Sequence, residues 1–146
     1  MSYVRGFDHV GIVVANLEEA TAFFTGLGLD VEDRTFMEGE FLDTVIGIPH
    51  SGCEIVTLRA PEASTGLVLS SFLPLNPAPG SPTALPTDLG IRTVAFKVTD
   101  LNGAIDRVAS YGYRLIGGIG HDTHTRRTAY IRGPEGIIVA LTERTG

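Results

Sequence analysis

Cysteine is almost absent: Cys53 is the only one in 146 residues. This excludes an intramolecular disulfide and any thiolate-based zinc cluster, and it fits a reducing compartment. An excess of positive charge is also missing. Eleven Lys plus Arg against seventeen Asp plus Glu leave a formal net charge of −6, which disfavours attraction to a polyphosphate, so nucleic acid is not an expected partner. No apolar run approaches the ~20 residues of a membrane-spanning helix. The start, Met1-Ser2-Tyr3-Val4-Arg5, lacks the apolar core of a secretory leader. These absences give the expectation of a soluble, cytoplasmic protein without nucleic-acid or membrane partners. Charge is sparse at 19% while hydrophobic residues reach 43%, a balance that rules out disorder and predicts a sizeable core. A chain of this length can bury about two-thirds of its extended surface, which suits one domain over residues 1–146.

What is present is a repeat. Setting His9 under Thr93 brings Val10, Ile12 and Val14 onto Val94, Phe96 and Val98, then Leu17 onto Leu101, Ala20 onto Ala104, Phe24 onto Val108 and Gly28 onto Gly112. In both copies a period of two gives way to helical spacing at the same point, so each reads as strand then helix. Asn16 with Glu19 three positions on, and Asp100 in the second copy, are good helix N-caps. Gly28 and Gly112 stand where a left-handed C-terminal cap belongs. Leu17, Ala20, Phe24 and Leu27 form one apolar stripe, and Leu101, Ala104, Ile105 and Val108 form the other. Further strands are expected near Val31–Phe36, Cys53–Leu58 and Gly66–Phe72, and again near Tyr113–Gly117, Arg126–Arg132 and Ile137–Glu143. Ala60-Pro61-Glu62 and Gly133-Pro134-Glu135-Gly136 supply turns in corresponding places. Pro74, Pro77, Pro79, Pro82 and Pro86 predict an extended linker between the copies. The plan is βαβββ, twice.

This duplicated unit resembles the vicinal oxygen chelate superfamily, the group of glyoxalase I, extradiol dioxygenases, methylmalonyl-CoA epimerase, fosfomycin-modifying enzymes and bleomycin-resistance proteins. The residues that carry the resemblance are Asp8-His9-Val10-Gly11-Ile12, Phe41-Leu42-Asp43-Thr44-Val45-Ile46-Gly47-Ile48-Pro49 and Gly133-Pro134-Glu135-Gly136. The resemblance implies an α+β fold of two tandem βαβββ modules whose curved mixed sheets form a cleft. Module 1 would span about 5–73, the linker about 74–90 and module 2 about 91–146. It also implies a homodimer, in line with the commonest closed symmetry. Strand parity then names the inward side chains: His9, Gly11 and Val13; Val68 and Ser70; Thr93, Ala95 and Lys97; Ile138, Ala140 and Thr142.

In metal-dependent relatives the ligands come from the first and fourth strands of each module. Those positions here are His9, Val68, Thr93 and Ala140. Valine and alanine carry no donor, and a neutral threonine hydroxyl replaces imidazole poorly. A lone His cannot supply the three or four ligands such a site needs. The expectation is therefore no metal and no cofactor.

Other candidates are weaker. His121 and His124 flank Asp122 and Thr123, and the ordinary reading of that stretch is a polar loop. His50 is read as following Pro49 into a loop over the cleft mouth. Cys53 sits in an apolar strand pattern, where cysteine usually acts as a small hydrophobe. Ser70 and Ser71 lack a Gly-x-Ser-x-Gly setting, and Gly117-Gly118-Ile119-Gly120 opens no clear helix that would make a phosphate cradle. Arg126 and Arg127 alternate faces, and parity does not say which one points inward.

The favoured function is a metal-free binding protein of the bleomycin-resistance type. It would sequester a partly aromatic or apolar small molecule, such as an antibiotic, with His9, Phe36, His50, Val68, Ser70, Thr93, Tyr130 and Ala140 as ligand contacts. Phe36, Phe72 and Tyr130 are expected near the rim. The alternative is a metal-independent isomerase, epimerase or cyclase using His9, Asp43 or Tyr130 as acid or base, Asp43 lying in a loop region that resembles family members acting on acyl substrates. A second alternative is a metal-dependent lyase or dioxygenase with non-standard ligands.

Overall fold

The computed structural model describes residues 3–63, 65–74, 78, 80–122 and 125–144. It divides into two compact units, Met1–Ala78 and Pro79–Gly146. The first unit runs β1 (His9–Val13), α1 (Leu17–Gly26), β2 (Asp30–Glu38), α2 (Glu40–Ile46), β3 (Gly52–Arg59) and β4 (Gly66–Leu73). Its four strands are ordered β1-β4-β3-β2, with β1 parallel to β4 and the other pairs antiparallel. The second unit runs β5 (Thr93–Lys97), α3 (Leu101–Ser110), β6 (Arg114–Leu115), β7 (Gly120–Asp122), β8 (Arg126–Arg132), a one-turn 3-10 helix at Pro134–Gly136, and β9 (Ile138–Arg144). Its order is β5-β9-β8-β6, with β7 also on β8. The α+β class and the repeated strand–helix–strands plan are as the sequence predicts.

The repeat extends to individual hydrogen bonds. Asn16 Oδ1 accepts from Glu19 N at 3.0 Å, and Asp100 Oδ1 accepts from Gly103 N at 3.0 Å, so each helix starts on a side-chain cap. Gly28 (φ 111°) and Gly112 (φ 93°) reverse the chain after the helices. Beyond them Leu29 N donates to Phe24 O at 3.1 Å and Tyr113 N to Val108 O at 3.0 Å, which satisfies the last carbonyls. Each first strand also ends alike: Val14 N donates to Ser70 O and Val98 N to Thr142 O, both at 2.8 Å.

Each helix buries one face of its own sheet. In the first unit Ala20, Phe23 and Phe24 of α1 are buried, as are Val56, Leu58, Leu67 and Leu69. Phe23 and Phe24 meet edge to face at 5.0 Å between ring centroids. Thr21 is buried but sends its hydroxyl to Leu17 O at 2.7 Å, so this group is not stranded. In the second unit Leu101 and Val108 of α3 are buried, with Ala129, Ile131, Val139 and Leu141 from the sheet. Each buried Val, Leu, Ile or Phe among these contributes about 1.5–3 kcal/mol on leaving water. Leu27 is only half-buried, and Phe23 takes a place in the stripe that the sequence reading had not assigned.

Three local expectations are corrected. The segment containing Asp43 is the helix α2, not a loop. It is seven residues long, flanked by Gly39 and the left-handed Gly47, and buries only Leu42, too little for an apolar period to register. The last part of the linker is folded rather than extended. Ala84 N donates to Ser81 O at 3.1 Å, Asp88 N to Leu85 O at 3.0 Å, and the Arg132 guanidinium donates to the carbonyls of Ala84, Pro82 and Gly136. Pro77 and Pro79 lie outside the described residues. Finally, His121 belongs to the short strand β7 and pairs with Arg127 on β8.

Candidate functional site

The register fixes which side chains share the sheet face turned away from each helix. In the first unit His9 pairs with Gly66, Gly11 with Val68 and Val13 with Ser70. Ser70 pairs on with Ile55 of β3, and Val68 with Thr57. His9 and Val13 are exposed and Val68 and Ser70 half-buried, so His9, Val68 and Ser70 come together on one open face. In the second unit Thr93 pairs with Ile138, Ala95 with Ala140 and Lys97 with Thr142, while Tyr130 of β8 pairs with Ala140. Thr93, Tyr130 and Ala140 thus share the corresponding open face. Ala140 is 5% exposed and Tyr130 37%, so the aromatic ring, not the alanine, offers surface to a ligand there.

The pairing tests the metal reading. His9 stands two residues before Gly11, which faces Val68; Thr93 stands two residues before Ala95, which faces Ala140. The four positions are therefore equivalent between units, and only the His9 imidazole among them is a good donor. Among the described residues no three His, Cys, Asp or Glu side chains cluster so as to hold a metal ion. The residues present do not fit the chelate centre of the metal-dependent relatives. His9 instead directs Nδ1 to Asp8 Oδ2 at 2.7 Å, a contact that orients the ring and fixes its tautomer.

Phe36 and His50 are not on this face. Phe36 pairs with Glu54, and parity puts it on the side occupied by Val56 and Leu58 under α1. Together with His50 it lines a concavity of about 570 Å³, along with Glu38, Gly52, Leu73 and Pro74. A second concavity of about 450 Å³, lined by Asn16, Glu18, Glu54 and Ser71, shares Leu73 with it. Glu38, Glu54 and Leu73 were missed from sequence; alternation on β2 and β3 would have placed them beside Phe36 had that face been taken as available.

The remaining candidates resolve individually. The Asp43 carboxylate accepts the backbone N–H groups of His50 and Ser51, both at 3.0 Å, so it holds the chain after α2, and it lines the same concavity as Phe36 and His50. His121 is exposed, and Asp122 pairs with Arg126 at 3.3 Å; His124 lies outside the described residues. Arg127 is on the α3 side, where it reaches Glu143 at 3.4 Å and Asn102 at 2.9 Å, and Glu143 also accepts the N–H of Leu101 at 2.8 Å. Arg126 therefore points to the open face. Cys53 is 2% exposed, and that burial, the largest influence on it, pushes its thiol above the usual value.

Two βαβββ units in one chain define a fold family. The pattern of the Glyoxalase/Bleomycin resistance protein/Dioxygenase superfamily matches residues 6–141, and the chain belongs to this family. It is similar to a glyoxalase family protein from Bacillus cereus of known structure. The two are 34% identical over 99% of this chain and 97% of that one, with a TM-score of 0.94. TnmS3, an antibiotic binding protein from Streptomyces sp. CB03234, shares the fold at 16% identity, 99% and 100% coverage and a TM-score of 0.64. The trypanothione-dependent glyoxalase I of Leishmania major shares it at 20% identity, 96% and 87% coverage and 0.65. No match is found among curated proteins.

Proposed function

We propose that the chain is a metal-free small-molecule-binding protein that uses its open sheet faces, with His9, Val68, Ser70, Thr93 and Tyr130 as ligand contacts. The observation that carries this reading is the donor set: the first and fourth strands pair alike in both units, while three of the four positions that correspond to metal ligands in the metal-dependent relatives hold valine, threonine and alanine. Apolar and hydroxyl side chains around one imidazole suit a partly aromatic ligand held by few polar contacts. Fold similarity to an antibiotic binding protein makes antibiotics the first ligands to try. The working context is a cytoplasmic homodimer, with sedimentation at micromolar concentration as its check.

A thermal-shift screen against antibiotics and aromatic metabolites tests the proposal, because a ligand that binds only the folded state raises Tm. Ligand recovered unchanged after binding supports sequestration. Product beyond one equivalent supports a second reading, in which the Asp8–His9 contact prepares the imidazole as a general base. His9→Ala should weaken ligand binding by about 1 kcal/mol if His9 makes one neutral hydrogen bond; unchanged affinity removes it from the site.

A further inference from the structure

The two units provide an internal control for one row of side chains. On the α3 side of the second sheet, His121, Arg127 and Glu143 lie across β7, β8 and β9, and Arg127 pairs with Glu143. Acid and base there pair across neighbouring strands at 3.4 Å. The corresponding row of the first sheet is Phe36, Glu54 and Ser71, across β2, β3 and β4. Glu54 takes the place of Arg127 and Ser71 that of Glu143, so the row holds an acid and no base.

The next row on the same face is Glu38, Gly52 and Leu73. A Cβ on Gly52 would stand 2.9 Å from Phe36 Cζ and 3.9 Å from Leu73 Cβ. The missing side chain is what lets the Phe36 ring lie across the strand beside Leu73. Both apolar side chains are 50% exposed. Glu38 follows Phe36 by two residues and Glu54 faces it across the strands, so carboxylates flank the ring on two sides. Neither carboxylate makes a hydrogen bond or ion pair among the described residues, and no Lys or Arg lines either concavity.

We propose that this groove is a second binding site, separate from the open face, for a small cation: an ammonium or amidinium group on a flat apolar body. The body would stack on Phe36 and Leu73. The positive charge would sit between Glu38 and Glu54 at the ring face, combining cation–π and carboxylate attraction. An anion of the same shape is repelled by the two carboxylates, since the guanidinium on that face, Arg34, is paired with Glu18 at 3.3 Å. The site does not depend on the ligand of the open face, nor on whether that face binds anything.

Amide spectra of the isotope-labelled full chain, titrated with naphthylmethylamine or with its anionic counterpart naphthylacetate, test the proposal. The amine is expected to shift the amides of Phe36, Glu38, Gly52, Glu54 and Leu73 saturably, and less so at high salt, while naphthylacetate leaves them in place. Glu38→Gln with Glu54→Gln should weaken the amine about tenfold. Gly52→Ala, which turns the ring out without touching either carboxylate, should also weaken it, as should Ser71→Lys, which supplies the missing charge from the neighbouring strand. A dispersed spectrum confirms that each variant is folded. Equal binding of amine and acetate overturns the proposal. So do shifts confined to the His9, Val68 and Ser70 amides, the absence of any shift, or unchanged affinity in the double variant.

Discussion

The first and second units have cores built on the same plan and differ at one edge. Their helices start on the same cap, end on the same glycine and close with the same hydrogen bonds. Beyond the two central strands they part. In the first unit β2 runs nine residues and leads into α2, whereas β6 has two residues and is followed by the three-residue β7. The longer edge carries Phe36 and Glu38 into the groove beside Leu73; the shorter one leaves Arg127 and Glu143 to neutralise each other. Repetition therefore maintains the fold, and the unrepeated parts distinguish what each unit presents to solvent.

The largest expected effect tests how equal the cores are. Phe24 and Val108 occupy matching positions, and each is buried. Phe24→Ala should cost about 4 kcal/mol and Val108→Ala about 2 kcal/mol, read from urea unfolding. Equal losses would mean that the larger ring adds nothing and that the two cores are not packed by the same rule. Next comes the Arg132 latch of the second unit. Arg132→Ala removes charge-assisted bonds to the Ala84, Pro82 and Gly136 carbonyls and should cost about 2 kcal/mol. Limited proteolysis should then cut within residues 80–90, and resistance there would show that the latch is not what holds the segment. Asn16→Ala and Asp100→Ala should each cost about 1 kcal/mol; a large difference between them would break the equivalence of the helix starts.

The smallest effect is confined to the first unit. Burial raises the Cys53 thiol, with Glu54 adding in the same direction and hydrogen bonds from Ser70 and Ser71 opposing it. The folded state thus favours the protonated thiol. That contribution to stability is complete below the unfolded thiol pKa and is lost as pH rises through the folded one. Thiol reagents should label Cys53 at neutral pH only as fast as the protein opens, and labelling of the native protein at the rate of a free thiol would contradict its burial.

Much of this was legible in the residues because the signals were periodic and occurred twice. Alternation at Val10, Ile12 and Val14 gave the covered face of the sheet, and by subtraction the open face with His9 and Val68. Asn16, Gly28, Asp100 and Gly112 marked both helices to within two residues. What was hidden lay in short or singly anchored pieces. The α2 helix buries only Leu42, and the segment around Ala84 is held by Arg132 from a strand far along the chain. Phe36 was expected at the rim of the cleft because an aromatic residue at the end of a predicted strand carries no label of side. One register pairing, Phe36 with Glu54, reverses that placement.

The account rests on an open face that keeps its strand register but has only one good metal donor at the four ligand positions, His9. Elemental analysis of protein purified without chelator tests this most directly. Zinc, nickel, iron and manganese are each expected well below one equivalent per chain, with no change on His9→Ala. A full equivalent of any of them, lost in that variant, would contradict it.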